Sequence, residues 1–276
     1  MYTVFHMDKL IPQKGLTGKN QLEVLSIEPE IKKHNTPLVF VPMSWGTSAV
    51  FMVFMRFFAG KGYRCFSLSL RGHGESKGRI SGATMENYVS DVHEVVNNFA
   101  LEKPVIVGHS MGGLIALMYG AQYDVAGVVA LDSSPPLEVQ GAGEEKVYPK
   151  EYTPLDAGMP TDQESIMAAF PDIETENLRN LKKMLGTESG VARSQRKKGI
   201  SVPKEAYDEK PLLFIGSGNG TSVPFGIGID SVRAQADYYE APLAEIKEAS
   251  HPGLIMGTHW NETVLSMIDW LENNHL

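Results

Sequence analysis

The chain has 276 residues, with 25 Lys and Arg against 33 Asp and Glu, a formal charge of −8. That acidic balance argues against a protein that grips nucleic-acid phosphates through a basic face, and a hydrophobic share of 42% argues against disorder. One cysteine, Cys65, excludes an internal disulfide framework and a cysteine-based zinc site.

The first residues reach Asp8 and Lys9 before a signal-peptide core could form. Residues 49–55, the most apolar stretch, end at Arg56, far short of the roughly 18 residues that a membrane span needs. The expectation is a cytoplasmic protein without an integral membrane segment. Nothing indicates an oligomeric state.

Strand-like segments come first at residues 2–7 and 22–28. With no helix between them, they are expected to form an antiparallel edge. Segments 37–41 (PLVFV), 64–70 (RCFSLSL), 104–107 (PVIV), 125–131 (VAGVVAL), 211–215 (PLLFI) and 243–249 (LAEIKEA) follow. Several are continuous runs rich in Val and Ile, the pattern of strands buried on both faces of a parallel sheet. Helix-length stretches lie between them at 51–59, 84–100, 112–122, 231–239 and 262–273. In the second, Asp91, Val92, Val95, Val96 and Phe99 carry a helical spacing. Alternating strand and helix predicts right-handed crossovers and a mostly parallel, doubly wound sheet.

One connection breaks this rhythm. The 78 residues 133–210 replace a link that ordinarily takes about 2–6. They open on Pro135 and Pro136 and hold helical stretches at 161–170 and 174–185. They read as a helical cap inserted after the sixth strand, dividing a core of residues 1–132 and 211–276. The cluster Arg193, Arg196, Lys197 and Lys198 lies inside it. Such a run is ordinarily a solvated helix face; the sharper alternative is attraction of an anionic substrate or surface. Met159, Met167, Phe170 and Met184 either line a hydrophobic tunnel or simply pack.

The chemical signal is Gly108-His109-Ser110-Met111-Gly112, followed by Gly113. It matches G-x-S-x-G, directly after a buried strand and directly before a helix. Such a turn lifts the serine hydroxyl above the sheet. It also sets the Met111 N–H at the positive end of a helix, where a developing oxyanion is stabilised. A glycine-rich turn without chemistry would share the pattern but seldom this context.

At these residues the chain resembles the α/β-hydrolase superfamily. GHSMGG at 108–113 is similar to its nucleophile elbow. Arg71-Gly72-His73-Gly74-Glu75-Ser76 is similar to the turn after the fourth strand in its esterases, lysophospholipases and monoacylglycerol lipases. The resemblance implies an eight-stranded, mostly parallel sheet with helices on both faces, and a serine nucleophile with a histidine base and an acid. The base follows the last strand in that family, which designates His251. His259 is its rival, His109 flanks the nucleophile as a packing or substrate-binding residue, and His73 reads as structural.

The acid is where the chain departs from the family. Its usual position, after the seventh strand, falls on Asn219. An amide can orient an imidazole but cannot stabilise an imidazolium by charge. Asp132, at the end of the sixth strand, is the substitute, with Asp230 or no acid at all as alternatives. The oxyanion hole takes a second donor from the turn after the third strand. There Pro42 and Met43 replace the family's His-Gly, leaving the amide of Ser44 or of Trp45; Trp45 is also a candidate for lining the substrate pocket.

The stretch 216–220 (GSGNG) lacks the full dinucleotide fingerprint, and no His, Asp or Glu group has metal-ligand spacing, so no cofactor or metal is expected. These readings point to a serine hydrolase that cleaves a small-molecule carboxylic ester with an apolar acyl or alcohol group. Amides, thioesters, lactones and carbon–carbon bonds are within reach of the same residues. The contrasting reading, prompted by Asn219, is a binding or signalling protein that kept the pocket and lost turnover.

Overall fold

The computed structural model describes residues 10–144, 146–160, 162–220 and 227–276. The expected strand at 2–7 lies outside them. Among the described residues, the antiparallel edge begins with β1 (Gln13–Thr17), paired to β2 (Leu22–Ile27). β1 carries one apolar residue, Leu16, and is mostly exposed, so the alternation that betrays a half-buried strand is missing.

Next come β3 (Leu38–Val41), α1 (Met52–Lys61), β4 (Cys65–Leu68), α2 (Met85–Asn98), β5 (Val105–His109), α3 (Met111–Gln122) and β6 (Gly127–Leu131). The chain closes with β9 (Leu212–Asn219), α8 (Ile229–Tyr238), β10 (Leu243–Ser250), α9 (Gly253–Met256) and α10 (Trp260–Asn273). Three strands start one residue after a proline, at Leu38, Val105 and Leu212. Proline has no N–H to give to a ladder, so it stands at the entry.

Eight strands form one sheet in the order β1-β2-β4-β3-β5-β6-β9-β10. β2 runs antiparallel to both β1 and β4, and every other pairing is parallel. β3, β5 and β6 are buried at every position, because helices cover both faces of the sheet. Phe40, Phe54, Phe58 and Leu271 pack on one face, and Phe66, Val92, Leu114 and Phe214 on the other.

Side chains at the start of α2 and within it pin the adjoining turns. Thr84 and Asn87 exchange hydrogen bonds with each other's backbone N–H at the start of α2, a capping box. Asp91, fully buried on α2, receives the Arg71 side chain at 2.7 Å and the Arg71 N–H at 2.9 Å. This holds the RGHGES turn against the helix.

Between β6 and β9 lie α4 (Leu137–Gln140), β7 (Glu151–Tyr152), α5 (Gln163–Ala169), α6 (Thr175–Met184), β8 (Glu188–Ser189) and α7 (Gly190–Lys198). α5 and α6 fall on the two expected helices. The β7–β8 ribbon was not expected; at two residues per strand it is too short to leave a periodic signal. Among the described residues, no helix is long and apolar enough to cross a membrane.

Candidate active site

β5 turns directly into α3 at Ser110. Ser110 sits at φ 58 and ψ −117, a conformation that side chains rarely adopt and that surrounding structure must enforce. The neighbours enforce it by close approach. A Cβ on Gly108 would lie 2.0 Å from the Gly112 carbonyl oxygen, and one on Gly112 would lie 2.2 Å from that of Val41. Only glycine fits either place. The Ser110 backbone is clamped as well: its N–H donates to Leu131 O and its C=O accepts from Ser134 N, each at 2.9 Å.

β6 lies next to β5 and ends at Asp132, which follows Leu131 directly. Asp132 is fully buried at φ 38, and its N–H donates to Ile215 O of β9 at 2.8 Å. Its carboxylate accepts from Ser217 N at 2.8 Å, from the Ser217 hydroxyl, and from His251 Nδ1 at 2.9 Å. Ser217 thus cradles the carboxylate from β9. The sequence offered no sign of this, since the two residues are 85 positions apart.

His251 follows β10 and is 4% exposed. With Nδ1 engaged by Asp132, Nε2 is the nitrogen left for Ser110, and both residues line one cavity of about 140 Å³. The loop is held from the inserted segment: Asp172 accepts from Ser250 N at 2.9 Å, and its carbonyl accepts from Thr258 N at 2.8 Å. Asp172 too was illegible in the sequence.

The alternatives lie elsewhere. Asn219 is exposed and donates to Glu248 O at 3.2 Å. Asp230 is solvent-exposed and pairs with Arg233. His259 pairs with Glu262 on α10. His73 is buried 3.4 Å from Glu188 Oε2. His109 lines the cavity, its ring 4.5 Å from that of His251, and it donates from Nε2 to the His251 carbonyl at 2.9 Å. Burial, and then the neighbouring His251, push the His109 pKa well below its ordinary value.

The fold does gather one group that sequence spacing did not reveal. His109, Asp132 and His251 offer ligand-type atoms within 4.8 Å of one another. Both Asp132 oxygens already accept hydrogen bonds, so a cation would have to displace the His251 proton.

Of the candidate oxyanion donors, Met111 opens α3, where first-turn amides have no carbonyl partner within their own helix. Ser44 and Trp45 follow β3, and both line the cavity. The Trp45 N–H points to Glu188 Oε2 at 3.3 Å, and its indole N–H donates to Tyr152 O at 3.1 Å. Trp45 is therefore tied back to the β7–β8 ribbon, while Ser44 lines the same cavity as Ser110. Met159 and Phe170 line the same cavity, as do Arg193, Arg196 and Lys197. Met167 is partly exposed, and the Met184 side chain lies outside the described residues.

Comparison with known proteins agrees with the fold. A bifunctional esterase/perhydrolase of Acinetobacter calcoaceticus is 34% identical over 121 residues, 42% of this chain and 44% of that one. A non-heme haloperoxidase of Rhodococcus erythropolis is 35% identical over 99 residues, 35% of this chain and 34% of that one. The chain thus aligns with less than half the length of either relative. A solved thermophilic esterase from Thermogutta terrifontis superposes with a TM-score of 0.70 at 17% identity, covering 96% of this chain and all of that one; at such identity the likeness is one of fold. A family model described as alpha/beta hydrolase fold matches residues 36–188, more than half of the chain, and with the sheet order above it establishes that the chain belongs to the α/β-hydrolase family.

Proposed function

We propose that this protein hydrolyses carboxylic esters through an acyl-enzyme on Ser110. The observation that carries the reading is the 2.9 Å contact between His251 Nδ1 and Asp132, beside a serine held in the elbow conformation. A serine hydroxyl is a weak nucleophile until a base takes its proton. In this reading His251 Nε2 takes it as Ser110 Oγ attacks the carbonyl carbon. Asp132 keeps the proton on Nδ1 and stabilises the imidazolium that forms. The amides of Met111 and Ser44 receive the oxyanion. His251 then protonates the departing alcohol and takes a proton from water as that water attacks the acyl carbon; the bond to Ser110 Oγ breaks, His251 returns the proton to Oγ, and the acid is released.

Residues 133–210 act as the cap of this site in this reading, which is supported by Met159, Phe170, Leu185 and three residues of α7 lining the same cavity as Ser110. Its apolar lining supports an apolar portion in the substrate. The cavity at Ser110 also favours turnover over the reading of a binding module that lost its chemistry. The test is ester hydrolysis by wild type beside Ser110→Ala. Turnover falling by about 10⁶ in a folded variant, with a pre-steady-state burst of alcohol in wild type, is the expected result. Near-equal rates would overturn the proposal.

A further inference from the structure

α7 aims positive charge into the cavity. Arg193, Arg196 and Lys197 all line it, and among the described residues no Asp or Glu does, in a chain whose net charge is −8. Cations in a last helical turn are favourable to the helix dipole, which accounts for a basic residue at 196 or 197 but not for one turned inward. Arg196 is only 8% exposed. Its guanidinium donates to the hydroxyls of Ser44 and Tyr152 at 3.1 Å and of Ser134 at 3.4 Å, all neutral groups. Its Nε has no partner, and among the described residues it forms no ion pair.

A buried charge without a counter-charge is costly. Glu188 attracts Arg196 only through space: its oxygens accept from Tyr88, Ser189 and Trp45 and lie beside His73. Arg193 stacks over the Tyr148 and Tyr152 rings, 5.5 Å from each centroid, and Lys197 stands at the rim. Burial and the neighbouring Arg193 and Arg196 hold the Lys197 pKa below its ordinary value, as a field of like charge does.

The helix is fixed in this pose. Ser189 Oγ caps its N-terminus and donates to Ala83 O. Gln195 Oε1 accepts from Met85 N at 2.8 Å, and Gln140 donates to the Arg196 carbonyl at 2.7 Å. A guanidinium held this firmly presents a fixed positive charge, with Nη1 the less engaged of its two terminal nitrogens, to a carboxylate in the cavity.

We infer that the cavity holds an anionic subsite, centred on Arg196 with Arg193 and Lys197 at its approach, which selects esters bearing a carboxylate a few bonds from the scissile carbonyl. The distance follows from Ser44: its hydroxyl touches Arg196, and its amide is the proposed oxyanion donor. This inference rests on the ester-hydrolase reading and names the substrate class within it.

The test uses two isosteric pairs. Monoethyl succinate is set against ethyl 4-methylpentanoate, with the charge on the acyl side. Acetoxyacetate is set against isobutyl acetate, with the charge on the alcohol side. kcat/KM is measured by acid release for wild type, Arg196→Gln and Lys197→Gln. Wild type is expected to prefer the anion in at least one pair. Arg196→Gln should lower that preference roughly tenfold to hundredfold, the range of a charge-assisted hydrogen bond, and Lys197→Gln severalfold. Arg196 acting only as a brace for Ser44 would slow both members of a pair alike and leave the ratio unmoved. Wild type that hydrolyses all four esters without favouring either anion overturns the subsite and spares the hydrolase reading. Wild type that hydrolyses none overturns both. Should Arg196→Gln not fold, Lys197→Gln and the weakening of anion preference by added salt decide the question; a preference that neither alters counts against it.

Discussion

Replacing Glu188 by glutamine removes the anchor between the inserted segment and the turns around the site. Oε1 accepts from the Tyr88 hydroxyl and from Ser189 N at 2.7 Å; Oε2 faces Trp45 N at 3.3 Å and His73 Nε2 at 3.4 Å. Glutamine keeps one acceptor oxygen and puts an NH₂ where the other stood, so donors on that side lose their acceptor. Each buried donor left without one costs about 1–3 kcal/mol, and breaking a buried ion pair costs about 3–5 kcal/mol. His73 recovers part of this by turning neutral and accepting from the new amide, so the net loss is about 3 kcal/mol. For a domain of this size that lowers Tm by roughly 6–12 °C, at about 2–4 °C per kcal/mol.

The loss depends on pH with a definite sign. Burial alone would lower the His73 pKa, but Glu188 outweighs it and the net shift is upward. Burial alone would raise that of Glu188, but His73 and its hydrogen-bond donors outweigh it and the net shift is downward. A raised histidine stabilises below its unfolded pKa and loses that contribution as pH rises through the folded value. A depressed carboxylate stabilises above its unfolded pKa and loses that contribution as pH falls through the folded value. The gap between wild type and Glu188→Gln is therefore widest between about pH 4.5 and 6.5, and it narrows on both sides. Thermal unfolding of both proteins from pH 4 to 9, followed by circular dichroism, reads this directly. Equal Tm values, or a gap that does not change with pH, would mean that Glu188 and His73 do not stabilise the fold as a charged pair.

Three further outcomes are expected. Asp132→Asn lowers ester turnover on the order of 10⁴, as loss of the acid does in another Ser–His–Asp enzyme, whereas Asn219→Ala leaves it within a few-fold; the reverse order in one assay would transfer the orienting role to the amide. Ser217→Ala withdraws one hydrogen bond from the buried Asp132 carboxylate and costs about 1.5–3 kcal/mol, visible in urea unfolding; an unchanged midpoint would mean that the hydroxyl contributes nothing. Gly112→Ala drives a methyl group to 2.2 Å from the Val41 oxygen, so the protein should be recovered unfolded or inactive, and a fully active variant would contradict the close packing at the elbow.

The core was legible because its signals are local. Runs such as PLVFV and PVIV mark strands buried on both faces, and prolines place their starts to within a residue. Ser110 announced itself through a motif whose glycines answer to contacts within the same turn and with β3. Asp132 was reachable because Asn219 left the usual acid position without a charge. The rest of the site depends on contacts across long stretches of chain. Ser217 reaches Asp132 over 85 residues, Asp172 reaches Ser250 over 78, and Glu188 reaches Trp45 over 143. No periodicity encodes such pairs. The basic run in α7 shows the same limit: its composition is that of a solvated helix face, and only the packing of α7 turns Arg196 inward.

The proposed chemistry depends on Ser110 as an activated nucleophile, with His251 as its base and Asp132 behind it. The most direct measurement is labelling with a fluorophosphonate, followed by mass spectrometry of the modified peptide, on wild type, Ser110→Ala, His251→Gln and Asp132→Asn. A single adduct on Ser110 is expected in wild type, none in Ser110→Ala, and labelling slowed by orders of magnitude in the other two. An unlabelled wild type, an adduct on another residue, or labelling of His251→Gln at the wild-type rate would contradict it.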